Sequence, residues 1–112
     1  MAAEHLKGLS ARDLLVGLVI HLPVDCTLHQ QDIVTYIIER FDISAKDIKD
    51  ELAILCGENY HPKILKFEKG YYTIIPEARE EIKKFIKYNE EQLKGLEKMT
   101  SGILIEASLD YR

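Results

Sequence analysis

The stretch KFEKGYYTIIPEAREEI, residues 66–82, decides the fold. It alternates apolar and polar residues, turns at Glu68-Lys69-Gly70, and alternates again. β-Branched and aromatic residues on both sides of a Lys69-Gly70 connection predict a hairpin with strands over residues 63–67 and 71–75. Pro76 then ends the strand, and a charged helix follows at once. A lone two-stranded hairpin is marginal in water. This one must therefore pack against helices or reach for a partner.

The helices lie on both sides of it. Ser10, with Asp13 three residues on, is a loose capping box for a helix over residues 11–22. Leu14, Leu15, Val16, Leu18, Val19, Ile20 and Leu22 leave that helix almost no polar face, which marks a buried central helix. Gly17 lowers its intrinsic stability and points to a close crossing by a neighbour. Pro23 ends it. Val24-Asp25-Cys26 could add one extended strand. Thr27-Leu28-His29-Gln30 matches a capping box, and Ile33, Val34, Ile37, Ile38 and Phe41 follow as one apolar stripe. Ser44 and Asp47 open a third helix with Ala45, Ile48, Leu52 and Leu55 inward and Gly57 as its stop. Asn59-Tyr60-His61-Pro62 reads as a turn before the hairpin. A last helix is expected from Glu77 to Met99, broken at Gly102, with an apolar tail over 103–112.

The 112 residues suit one domain with a modest core. Apolar residues make up 46 % and charged residues 30 %, a globular balance. The net charge of −4 argues against coating nucleic acid or membrane by bulk charge, but not against a local basic patch. The start, MAAEHLKGLSARD, lacks the apolar run of a signal peptide, and Leu14–Leu22 is too short to span a bilayer. No membrane partner and a cytoplasmic location are expected. Abundant Lys, Glu and Ile lean toward a thermophilic host.

Helix, short strand, helix, helix, hairpin, helix is the order of a winged helix-turn-helix. The expected fold is α+β and mainly helical: three helices plus a two-stranded wing, with a long C-terminal helix. Its parts would be an N-terminal arm (1–9), the winged-helix domain (10–76), and a C-terminal dimerisation helix and tail (77–112). The run from Lys69 through Tyr72, Thr73, Ile74, Ile75 and Pro76 to Arg79 resembles the wing exit of MarR-like, PadR-like and archaeal winged-helix regulators. Their pattern there is roughly Tyr-x-Leu-Thr-x-x-Gly. Ile74 fits its apolar position, while Ile75 stands for the usual Thr and Ala78 for the usual Gly. The resemblance covers about residues 10–100. It implies a dimer that binds double-stranded DNA and regulates transcription.

On that reading, the third helix lies in the major groove. Lys46 and Lys49 could contact phosphates there, but Asp47 and Asp50 oppose them, and base readout favours Arg, Asn and Gln. The hairpin has the better balance, with Lys63, Lys66 and Lys69 against Glu68. Lysines on a hairpin edge also discourage strand aggregation. Gln30 and Gln31 sit at a helix start, where phosphates bind. Ile82, Ile86, Asn89, Leu93 and Leu96 step by four, three, four and three, a coiled-coil seam with Asn89 as its polar position. Ile86, Asn89, Leu93 and Leu96 are the expected dimerisation residues, since Leu93, Leu96 and Met99 look too distant to be covered within one chain.

Cys26-x2-His29 and Cys56-x4-His61 have ligand-like spacing, but no CxxC pair accompanies them, and no metal or cofactor is expected. A Cys26–Cys56 disulfide is an alternative suited to a hyperthermophile. Neither a phosphate-binding Gly-rich loop nor a nucleophile elbow is present, so no enzyme is expected and no catalytic residue is assigned. The other class of function is a winged-helix module that binds protein, which the acids of the third helix favour.

Overall fold

The computed structural model describes Leu6 and residues 8–57, 64–84 and 86–110, the side chains of 108–110 excepted. The expected turn at Asn59–Pro62, and with it His61 and Lys63, lies outside the described residues, as does Phe85.

Helix α1, Ala11–His21, begins at Ser10, whose hydroxyl accepts from the Asp13 amide at 3.2 Å while the Asp13 carboxylate accepts from the Ser10 amide at 3.4 Å. Leu14, Leu15, Val16, Leu18 and Val19 are all buried, as an apolar helix demands. Strand β1, Thr27–His29, leads directly into α2, Gln30–Arg40. Helix α3, Ala45–Cys56, starts at the Ser44 cap and stops at Gly57, with Ile48, Leu52 and Leu55 buried. Strands β2, Leu65–Glu68, and β3, Tyr71–Ile74, form the hairpin. Helix α4, Pro76–Lys83, carries its proline in the first turn, and α5 spans Glu90–Asp110. The described residues therefore form a mostly helical α+β fold with one three-stranded antiparallel sheet in the order β1-β3-β2.

The additional strand falls at Thr27–His29, not at Val24–Cys26, because β3 supplies the pairing. Thr27, Leu28 and His29 lie opposite Thr73, Tyr72 and Tyr71. His29, not Thr27, then caps α2. The hairpin register places Leu65 opposite Ile74 and Phe67 opposite Tyr72.

The C-terminal third departs most from expectation. The single helix over 77–99 is two helices. Asn89 begins the second with a capping box of its own: its carbonyl oxygen accepts from the Gln92 amide at 2.7 Å, and the Gln92 side chain accepts from the Asn89 amide at 3.0 Å. The Tyr88 hydroxyl donates to the Asp13 carbonyl at 2.5 Å, and an Arg79 guanidinium nitrogen to the Leu22 carbonyl at 2.5 Å. Both bonds hold this region against α1. Gly102 does not break α5; the lack of a side chain there leaves room for the Tyr36 ring. The tail is helical to Asp110, with Ile103 and Ala107 buried.

The residues of the expected coiled-coil seam accordingly do not share one continuous helix. Ile82 and Ile86 precede the break, and Asn89 is a cap. Leu96 and Met99 are buried in the same core as α1, at 0 % and 2 % exposure. Leu96 lies where a Gly17 side chain would be: a Cβ on Gly17 would come within 2.5 Å of it. The face of α5 opposite the core holds Glu91, Lys94, Lys98, Ser101 and Ile105, which is not an apolar seam. The expected division at residues 76/77 crosses one continuous core.

Gly17→Ala should destabilise the protein, since about 1–3 kcal/mol of overpacking outweighs about 1 kcal/mol of gained helix propensity. In a Leu96→Ala background, itself lowered by about 2–5 kcal/mol, the same Gly17→Ala change should become stabilising. Urea denaturation of the four proteins in this cycle checks both signs.

Candidate nucleic-acid interface

The surface that unites the expected contact residues is built where β1 runs into α2. His29 keeps extended backbone and its imidazole Nδ1 accepts from the Gln31 amide at 3.1 Å, occupying one of the free donors of the helix start. The neutral ring then carries its proton on Nε2. The hairpin turn lies directly against it. Lys69 and Gly70 both have positive φ, 53° and 88°, as a two-residue hairpin turn requires. Gly70 is obligatory on a second count, since a Cβ there would come within 2.8 Å of His29 Nε2. The Gly70 carbonyl accepts from the Gln30 amide at 2.9 Å. The His29 and Tyr71 rings meet edge-on at 5.0 Å.

The hairpin tip is therefore strapped to the first turn of α2. Gln30 completes the strap: its side-chain amide donates to the Tyr72 hydroxyl at 3.0 Å. Burial raises the Tyr72 phenol above its ordinary 10.0, and the Gln30 bond acts in the opposite direction. Gln31 is exposed and donates to Thr35 at 2.9 Å. Lys69 is exposed and has no ion pair among the described residues, while Lys66 lies 3.9 Å from Glu68. Gln30, Gln31 and Lys69 thus lie where the turn meets the start of α2, while Lys66 lies on the edge strand, on the sheet face opposite Tyr72. Lys63 lies outside the described residues.

Helix α3 presents a different surface. Lys46 donates to Asp50 at 2.8 Å, and that bond together with the Asp50 charge raises the lysine above its ordinary value. Lys49 is exposed beside Asp47, Asp50 and Glu51. An open cleft of about 520 Å³ runs between α3 and the start of α1, lined by Arg12, Asp47, Asp50, Glu51 and Ile54. Arg12 crosses it to Glu51 at 3.1 Å. Charge on this face is predominantly negative.

Cys26 and Cys56 are half-buried and form no disulfide with one another. Among the described residues no cluster of His, Cys, Asp or Glu is arranged to hold a metal ion, and no helix is long and apolar enough to cross a membrane. The Cys26-x2-His29 spacing brings no such group together, and His29 is engaged at the helix start. Two features of this region lay outside the sequence reading: the strap between Gly70 and Gln30, and the half exposure of Phe67. The two-residue Lys69-Gly70 turn was a usable signal for the first. No family model, curated protein or solved structure matches the chain.

Two measurements check this construction. Gly70→Ala should lower stability by roughly 1 kcal/mol or more, through the positive φ and the His29 clash, and should shift the Gln30 and Gln31 amide resonances. The raised Tyr72 phenol makes its contribution fully present below the unfolded-state value near 10. That contribution is lost as pH rises through the folded-state value. Stability measured across this range should fall more steeply in wild type than in Tyr72→Phe.

Proposed function

We propose that the chain is a winged helix-turn-helix protein that binds DNA, and regulates transcription, through its hairpin and the start of α2. One observation carries the reading: the Gly70 carbonyl bonded to the Gln30 amide at 2.9 Å. It joins the lysine-bearing turn to a helix N-terminus on one surface. Lysine and glutamine side chains are among the donors that phosphate oxygens accept from. The order helix, strand, two helices, hairpin, with β3 between β1 and β2, suits the winged-helix reading, and the wing-exit resemblance at Lys69–Arg79 supports transcription control.

The roles within the site differ from the usual plan. With Lys46 paired to Asp50 and three acids on α3, that helix is a poor phosphate or base reader. The hairpin supplies the stronger contacts. The proposal is made for the single chain, since Leu96 and Met99, two of the apolar residues expected to meet a partner, are buried in its own core. The acidic α1–α3 cleft, with Ile54 39 % exposed beside it, favours a second reading, a module that binds protein.

Fluorescence anisotropy on a labelled DNA at several salt concentrations tests the proposal. Lys66→Ala with Lys69→Ala should lower the slope of log affinity against log salt by about two and weaken all sequences alike. Lys46→Ala should change little. Absence of binding to any DNA at low salt sinks the DNA reading in favour of the protein-binding one.

A further inference from the structure

Phe67 is out of place for a hairpin that only touches backbone phosphates. Its neighbours on the same face of the sheet, Leu65, Tyr72, Ile74 and Leu28, are buried. Phe67 sits on the edge strand β2, beyond the reach of the core, and remains 48 % exposed. Its ring is not loose. It packs on the Tyr72 ring at 4.7 Å with an interplanar angle of 41°, and Tyr72 is itself buried and fixed by Gln30. The result is an aromatic platform with one open side and a rigid backing.

The adjoining turn carries a cation, Lys69, with no ion pair among the described residues, two positions beyond Phe67. Lys66 and Glu68 lie on the opposite face of the strand, 3.9 Å apart. A flat aromatic ring beside a lysine-bearing turn matches a base plane beside a phosphate. In a closed duplex the base faces are already stacked on one another and offer this ring nothing. Unstacked bases do. Helix α3, which would have to read a closed duplex in its major groove, is acidic.

We infer that the hairpin surface takes single-stranded or locally melted nucleic acid, with one base stacked on Phe67 and an adjoining phosphate on Lys69. This rests on the nucleic-acid reading above and names the state of strand it prefers. Stacking on an aromatic side chain is sequence-tolerant, because every base has a π-face.

The test compares anisotropy titrations of oligothymidylate and of a random duplex of equal length, at one low salt concentration. Wild type should bind the single strand about tenfold or more tightly than the duplex. Phe67→Ala should weaken single-strand binding by about five- to 150-fold, the range measured for lost base stacking, and leave duplex binding nearly unchanged. Phe67→Leu keeps an apolar side chain without a ring, so it should bind like the Ala variant, whereas Phe67→Tyr should retain binding. Circular dichroism melts confirm that each variant is folded. If the duplex is bound as well as the single strand, or if Phe67→Leu binds the single strand like wild type, the stacking inference is overturned and the DNA-binding proposal stands. Binding of neither nucleic acid overturns both.

Discussion

The middle of helix α1, residues 14–19, has no face it can show to water, and the remaining helices are arranged by that fact. Its buried side chains need cover on every side, and full burial of each large one contributes about 1.5–3 kcal/mol. Helix α3 covers one side through Ile48, Leu52 and Leu55, and α5 covers another through Leu96, Met99 and Ile103. The crossing with α5 is close because Gly17 has no side chain: Leu96 fills the space a Cβ would take. Helix α5 is thereby a wall of the core rather than a detached arm. A long C-terminal helix, read in isolation, suggests a partner chain. Here the first helix of the same chain covers one face of it.

The same logic of local satisfaction governs the hairpin. A two-stranded ribbon becomes stable by acquiring a third strand, and β1 supplies it up to the turn itself. Positive φ at Lys69 and Gly70 keeps the turn tight enough for the Gly70 carbonyl to reach α2. The backbone donors at the start of α2 are then met from two directions, by the His29 ring and by the turn. Such a surface is ordered before any ligand arrives, which lowers the ordering cost of binding.

Electrostatics divides the molecule more sharply than its net charge of −4 suggests. Around α3 and the start of α1, lysine and arginine are neutralised by adjoining carboxylates, as in Lys46–Asp50 and Arg12–Glu51. Exposed pairs of this kind contribute little to stability, but they remove cations from the pool available to a phosphate. The hairpin keeps Lys69 unpaired among the described residues and Lys66 only loosely held at 3.9 Å. The charge of each face follows from which lysines have local acids within reach.

Much of the fold was legible in the residues themselves. Caps are local, so Ser10, Ser44 and Gly57 set helix ends correctly, and the 3.6-residue spacing of Ile48, Leu52 and Leu55 identified the inward face of α3. The hairpin followed from alternation and its Lys69-Gly70 turn, and Gly17 announced a close crossing. The α4–α5 break was also local, written as Asn89-Glu90-Glu91-Gln92, but it was masked by a heptad-like spacing that runs straight through it. Apolar spacing states which residues seek cover and not what covers them. That is why Leu96 could be read as a dimer contact when it belongs to the core. The position of β1, the strap from Gly70 to Gln30 and the exposure of Phe67 all depend on residues some forty positions apart meeting in the sheet. Only tertiary structure decides such contacts, because nothing in a local pattern records which distant strand lies alongside or how far the core extends beneath an edge.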